Sequence, residues 1–301
     1  MECFRTPDER FAALPDYPFT PHYRQWNGMR LHHVDEGAPD APVMLLLHGE
    51  PTWSYLYRRW IDPLCGAGFR CIAPDHPGFG RSDKPLDDAW YVIERHVEAL
   101  TDLVEQLDLA HVNLVVQDWG GPIGLRVLCD QHERFERVFI LNTWLHHAGF
   151  EYGEGIRRWR QAALDPAQLG GDMPTGRIVA GSNRRAGHDA TAITAAYDTP
   201  FPTAASKAGA RRFPHCIPFG DPVAGNAADQ QRCFDVLPTL GKPMHLAFGD
   251  ADTVFTWDWA ERWHAQLPGS TLDRIEGAGH FVQEDATDDC LAVILRHATR
   301  R

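Results

Sequence analysis

One acidic residue stands where a strand-to-helix turn would expose it: Asp118, within Val115-Val116-Gln117-Asp118-Trp119-Gly120-Gly121. Val112 to Val116 is a short β-branched run suited to a buried strand, and Pro122-Ile123-Gly124-Leu125-Arg126-Val127-Leu128 reads as the start of a helix. A tight turn between the two thrusts one side chain outward and leaves backbone N–H groups free at a helix N-terminus. A serine at such a crest attacks carbonyl carbon. An aspartate there points instead to attack at a saturated carbon.

Two more strand ends deliver titratable groups. Met244 to Phe248 runs into Gly249-Asp250-Ala251-Asp252, and Thr271 to Ile275 runs into Glu276-Gly277-Ala278-Gly279-His280-Phe281. In a parallel sheet these C-terminal ends lie along one edge, where open α/β folds place their sites. The chain order of acidic nucleophile, aspartate and histidine is that of nucleophile-elbow enzymes. His280 can act as general base on a water, while Asp250 or Asp252 holds its tautomer and stabilises the imidazolium. Alone, an aspartate at a helix start is usually a cap and a Gly-x-Gly-His a turn. Three such groups in this order, each just past a strand, favour catalysis.

The elements that must position these groups alternate. Val43 to Leu47 is a buried strand, followed by His48-Gly49-Glu50-Pro51-Thr52, where Thr52 is expected to cap a helix through Tyr55, Leu56 and Trp60. Phe69 to Ala73 makes a second strand, leading into the loop Asp75 to Pro85. Val97, Leu100, Leu103, Val104 and Leu107 keep the spacing of an amphipathic helix, and Val138 to Leu141 forms the strand after the Asp118 helix. From Thr143 to about Ala224 strand signals vanish and Ala, Gly, Pro and Arg dominate, which reads as an inserted helical cap. Strand signals return at Pro243, and Cys290, Leu291, Val293, Ile294 and Leu295 mark a final helix. Such alternation implies a mainly parallel sheet covered on both faces, interrupted by the cap. There is no internal repeat.

A chain of 301 residues can hold one large core with an inserted subdomain, and its 44% hydrophobic and 23% charged content fits a soluble globular protein. The net charge of −12 argues against general nucleic-acid or anionic-membrane binding and favours a small or neutral substrate. The first residues lack a basic flank and apolar run, and no apolar run is long enough to cross a bilayer. Seven scattered cysteines without a C-x-x-C pair read as reduced thiols of a cytoplasmic protein. His32-His33 and His146-His147 lack metal-ligand spacing and read as structural or surface residues. No metal or cofactor is expected, and a monomer is the default.

His48-Gly49-Glu50-Pro51-Thr52-Trp53-Ser54-Tyr55-Leu56-Tyr57-Arg58, Gly78-Phe79-Gly80-Arg81-Ser82-Asp83-Lys84-Pro85 and Gln117-Asp118-Trp119-Gly120-Gly121 resemble the haloalkane dehalogenases of the alpha/beta-hydrolase superfamily. Tyr197-Asp198-Thr199-Pro200-Phe201-Pro202 and Gly209-Ala210-Arg211-Arg212-Phe213-Pro214 are also similar, so the likeness covers most of the chain. His-Gly-x-Pro and the Gly-Phe-Gly loop are common across the superfamily; Glu-Pro-Thr-Trp together with Asp-Trp-Gly-Gly is far more specific. The resemblance implies an α/β fold with a mostly parallel eight-stranded sheet flanked by helices. It implies a core of residues 1–142 and 225–301 and a helical cap of 143–224.

The resemblance also implies a two-step reaction on a small halogenated hydrocarbon. The Asp118 carboxylate displaces halide and becomes an alkyl ester; His280, supported by Asp252, then activates water to release the alcohol. A free carboxylate is ionised near neutral pH and its ester can be hydrolysed, which suits both steps. Backbone N–H groups of Glu50 and Trp119 would form the oxyanion hole. The halide needs donors on an apolar surface, and an indole N–H beside an alkyl chain supplies one at Trp119. One family branch uses an asparagine at the position of Glu50 as second donor, and an ionised glutamate has no such hydrogen. The second donor should then come from the cap, from Trp144 or Trp159. Trp159 is preferred because Arg158-Trp159-Arg160 and Met173-Pro174-Thr175-Gly176-Arg177-Ile178 resemble the branch that uses a cap tryptophan. Glu50 could also position the hydrolytic water, and Asn142 supports the same branch. Asp75-His76-Pro77-Gly78 and Thr143-Trp144-Leu145-His146-His147 depart from the usual pattern, the second at the start of the cap.

The nearest rival is an epoxide hydrolase, whose leaving alkoxide would take a proton from cap tyrosines such as Tyr152 and Tyr197. A fluoroacetate-type dehalogenase would want a cationic clamp for the substrate carboxylate, usually beginning with an arginine after the nucleophile, where Trp119 stands. Gly120-Gly121-x-x-Gly124 has the wrong spacing for a dinucleotide module.

Overall fold

Short runs of leucine and β-branched residues build the middle of the sheet. The computed structural model describes residues 1–299. Its strands are β1 (Cys3–Phe4), β2 (His22–Trp26), β3 (Met29–Glu36), β4 (Val43–Leu47), β5 (Arg70–Pro74), β6 (Lys84–Pro85), β7 (Val112–Gln117), β8 (Phe135–Leu141), β9 (Met244–Gly249) and β10 (Thr271–Ile275). Strands β1 and β6 pair by themselves; the other eight form one sheet in the order β10-β9-β8-β7-β4-β5-β3-β2. From β10 to β5 every pairing is parallel, and β2 and β3 close the far edge antiparallel. Every residue of β4 and β7 is buried, as strands covered on both faces require.

The helices are α1 (Arg58–Gly66), α2 (Ile93–Gln106), α3 (Gly120–Asp130), α4 (Glu154–Leu164), α5 (Thr175–Ser182), α6 (Ala190–Asp198), α7 (Ala208–Arg212), α8 (Ala227–Val236), α9 (Trp257–His264), α10 (Val282–Asp285) and α11 (Thr287–Ala298). The apolar stripe of α2 does what its spacing promises, burying Val97, Leu100, Leu103 and Val104. Between β8 and β9 the described residues form helices α4 to α8 and no strand. Among the described residues, no helix is long and apolar enough to cross a membrane.

Three local expectations need correction. Thr52 does not cap a helix: its hydroxyl donates to the Gly49 carbonyl at 3.0 Å, and a 3-10 turn over Ser54–Tyr57 precedes α1. The second parallel strand begins at Arg70 and ends at Pro74, one residue later than the apolar run suggests. The β2–β3 hairpin was not foreseen, although Asn27-Gly28 between them is a strong hairpin signal. Both turn residues have positive φ, 48° and 77°, as a two-residue hairpin turn demands. The hairpin makes His32 and His33 buried strand residues, and His32 Nδ1 lies 2.7 Å from the Asp75 carboxylate.

Candidate active site

The C-terminal ends of β4, β7, β8, β9 and β10 converge on one edge of the sheet. Past β7 the chain turns at Asp118 with φ of 49°, a left-handed conformation that a non-glycine residue adopts only when its surroundings impose it. Those surroundings are explicit. The Asp118 N–H donates to Asn142 O at 3.0 Å, Gly121 N–H donates to Asp118 O at 2.9 Å, and the Thr143 hydroxyl donates to Asp118 O at 2.5 Å. Two glycines let the backbones close in: a Cβ on Gly49 would fall on the Asp118 carboxylate, and one on Gly120 would meet the Leu47 carbonyl. Gly120 then opens α3, directly after Trp119.

The Asp118 side chain is turned towards the edge and is 7% exposed. Its Oδ1 accepts the Glu50 backbone N–H at 2.7 Å, and its Oδ2 lies 3.5 Å from His280 Nε2. The other ring nitrogen, Nδ1, faces Asp252 Oδ2 at 2.9 Å. Asp252 is fixed in turn, its Oδ2 accepting Asn142 Nδ2 at 2.8 Å and its Oδ1 the Val254 N–H at 2.7 Å. Asp250 points elsewhere, accepting the Gly277 N–H at 2.7 Å. Of the two candidate supporting acids, Asp252 is therefore the one that meets His280. Burial opposes a charge on His280, but the carboxylates of Asp252 and Asp118 on either side outweigh it and push its pKa up to about 10.

These groups surround a cavity of about 80 Å³. Asp118, Asp252, His280, Trp119, Glu50, Trp144 and Trp159 all line it, against apolar walls that include Ile156, Ile178, Ile217, Val254 and Phe255. Trp119 is 3% exposed and packs edge-on against Trp144 and Phe213. Trp144 is buried and stacks on Phe255 at 4.7 Å, and its indole sits beside the Tyr152 hydroxyl, opposing the rise that burial imposes on that phenol. Trp159, on α4, is half-buried. Neither Tyr152 nor Tyr197 lines the cavity: Tyr152 is 2.8 Å from His146 Nδ1, and Tyr197 donates to Glu284 at 2.9 Å.

Glu50 is 5% exposed, and its Oε1 is buried with no hydrogen-bond partner among the described residues. Burial, with the Asp118 carboxylate beside it, holds its pKa well above the usual glutamate range. That setting favours the neutral carboxyl, the form whose O–H can donate.

Sequence reasoning missed two neighbours. Gln117 directs its amide at His280, 3.2 Å from both the carbonyl oxygen and Nε2. Its place beside Asp118 was visible; its reach across to the loop after β10 was not. Asn142, read only as a branch marker, ties β8 to β9 by accepting the Gly249 N–H at 2.9 Å while its amide donates to Asp252. No group of three or more His, Cys, Asp or Glu among the described residues could hold a metal ion.

A family model for the alpha/beta hydrolase fold matches residues 42–287. The haloalkane dehalogenase of Psychrobacter cryohalolentis is 41% identical over 95% of this chain and 94% of its own. That of Mycobacterium marinum is 41% identical over 95% of this chain and 96% of its own. Among solved structures, the tetrameric haloalkane dehalogenase DpaA from Paraglaciecola agarilytica superposes with a TM-score of 0.89 at 35% identity, covering 97% of both chains. Fold, edge geometry and these likenesses agree, and the chain belongs to the haloalkane dehalogenases of the alpha/beta-hydrolase family, hydrolases of carbon–halogen bonds.

Proposed function

We propose that Asp118 is the nucleophile, His280 the general base and Asp252 its support, and that Trp119 and Trp159 hold the departing halide. The observation that carries this reading is the single cavity onto which all five side chains open, with His280 between the two carboxylates at 3.5 and 2.9 Å. In the first step a carboxylate oxygen of Asp118 attacks the carbon bearing the halogen; the C–O bond forms, the C–X bond breaks, and X⁻ leaves. In the second, neutral His280 takes a proton from water as it attacks the ester carbonyl, and the tetrahedral oxyanion collapses to alcohol and carboxylate.

The Glu50 N–H already sits 2.7 Å from the Asp118 carboxylate, where an oxyanion donor belongs. Trp119 N–H is its partner at the start of α3, where amides have no intrahelical acceptor. Trp159 and Trp144 both line the cavity, and one observation supports Trp159 as the cap donor: the indole of Trp144 already sits beside the Tyr152 hydroxyl. Glu50, in protonated form, would orient the attacking water. The absence of both tyrosines from the cavity wall weighs against epoxide opening, which needs a proton donor for alkoxide.

The division into a core of 1–142 and 225–301 and a cap of 143–224 is part of this reading, supported by the uninterrupted helices α4 to α7. The substrate is a small apolar haloalkane, in keeping with a tight apolar wall. A monomer in the cytoplasm is also proposed; seven unbridged cysteines and few exposed large hydrophobics, Met1, Phe219 and Val223, support it. Gel filtration yielding a tetramer, as in DpaA, would overturn the monomer.

The test of the two steps is mass analysis after mixing with 1-bromobutane. His280→Phe should keep the alkyl mass on Asp118, and Asp118→Asn should release no bromide, with turnover down by roughly 10⁴-fold or more. A His280→Phe protein that never gains the alkyl mass rules out the ester route.

A further inference from the structure

The His280 loop is fastened to the helical segment above it by a carboxylate outside the triad. Asp285, the last residue of α10, is 4% exposed and its carboxyl group is fully enclosed. Its Oδ2 accepts the Gly279 N–H at 2.6 Å, immediately before His280, and the Arg184 N–H at 2.8 Å. Its Oδ1 accepts the Arg185 N–H at 3.0 Å and lies 2.8 Å from His188 Nε2. Both oxygens are therefore fully engaged by one residue of the base loop and three residues of the segment that follows α5.

That segment is also the cavity wall, since Ser182 and Arg184 line the pocket beside His280. The two backbones lie so close that a Cβ on Gly279 would collide with the Ser182 carbonyl. Arg185 reinforces the joint, its guanidinium donating to Glu276 O at 3.1 and 2.6 Å. A buried carboxylate held by three backbone N–H groups and facing an imidazole nitrogen is rigid, and removing it leaves those groups, the buried Gly279 N–H among them, without that partner.

We propose that Asp285 is a positioning residue that locks the general-base loop to the pocket wall, so that His280 and the substrate cavity keep one geometry. The proposal rests on His280 being the base of the second step. Alkylation uses Asp118 and the halide donors, none of which Asp285 touches, whereas ester hydrolysis needs His280 placed against a water. Loosening the joint should therefore slow one step and spare the other.

The experiment is rapid-quench mass analysis of single turnovers of 1-bromobutane. Asp285→Asn keeps the shape but turns an acceptor into a donor facing N–H groups. Its ester hydrolysis should slow by about 10- to 100-fold, the cost of misplacing a catalytic group by about an ångström. Alkylation should stay within about 3-fold, and ester should accumulate. Equal slowing of both steps, or hydrolysis at the native rate, overturns the proposal. If Asp285→Asn does not fold, the double change Arg185→Met with His188→Ala loosens the same joint from the wall side and should give smaller but visible ester accumulation; none overturns it. His280→Phe run in parallel separates the two ideas. Failure of that variant to trap ester sinks the base assignment, while trapping there without any effect at Asp285 sinks only the joint.

Discussion

The two walls of the cavity are built on opposite principles. On the sheet edge, the polar atoms around Asp118, Asp252 and His280 are tied by backbone and side-chain bonds of 2.5 to 3.5 Å, and strand ends from β4 to β10 set their places. Around α4, on the helical side, the cavity lining is apolar. Helix α4 buries only Ile156 and Ala163, and Trp159 stays half-buried, with charged neighbours on the exposed face. A fixed hydrogen-bonded frame serves bond making, where a small misplacement is costly. The apolar lining that α4 contributes serves recognition, because side chains there can repack without breaking the polar network at the sheet edge.

The comparison can be broken most forcefully at the rigid wall. Asp252→Asn keeps the shape around His280 but removes the charge and favours the wrong tautomer, so turnover should fall by about 10²- to 10⁴-fold. Hydrolysis should suffer more than alkylation, read as ester build-up; equal loss in both steps would mean that Asp252 only supports the fold. At the soft wall the effects should be smaller and confined to binding. Trp159→Phe removes one donor to an anion and should weaken bromide affinity by about 10- to 100-fold in a fluorescence titration, with the ester chemistry retained. Trp144→Phe serves as the contrast, with a change below about 3-fold. Reversal of that order would move the second halide donor to Trp144.

The smallest expected effect concerns stability. Behind the rigid wall, burial lowers the pKa of His96 to about 3, with His48 adding to it, and that of His33 to about 4, with His32 adding to it. Burial, with His48 and His96 nearby, also holds His76 well below its usual value. Below about pH 6.5 the unfolded chain binds protons that these rings refuse in the native state, so stability falls as pH drops, by up to about 1.4 kcal/mol per pH unit for each ring. His280 runs the other way: its raised pKa contributes stability that is full below about 6.5 and is lost as pH climbs towards 10. Urea midpoints at pH 7 and 5.5 should differ, and His96→Phe should narrow the gap. Coincident midpoints in the native protein would mean that the buried rings are not neutral.

The same contrast governs what could be read from residues alone. Buried parallel strands announce themselves, and an aspartate at a strand-to-helix turn stands out by type, so β4, β7, β9 and β10 and the convergence of Asp118, Asp252 and His280 were legible. The Asn27-Gly28 hairpin was legible too but carried no chemistry to draw attention. Thr52 looked like a cap because its hydroxyl could accept; the folded chain gave it the Gly49 carbonyl to donate to. The upward shift at Glu50 comes from its burial and from the Asp118 carboxylate beside it, which no local pattern encodes. Asp285 and Gln117 act across strands and helices, so their partners exist only once the sheet edge has assembled.

In the proposed reaction, the placement of His280 between two carboxylates also decides when the proton leaves. In the resting site the ring holds an extra proton because two negative charges surround it. Alkylation turns one of those charges into a neutral ester, so the hold weakens just as a base becomes necessary. With His280 as the proposed base, the ring would give its proton to solvent, take another from the attacking water, and return to its starting state when the carboxylate is restored. The balance is one proton per haloalkane, released with the halide-forming step and not with the alcohol. A pH-indicator dye in a stopped-flow mixer should see acid appear before alcohol; acid and alcohol rising together would show that the nucleophile does not time its own base.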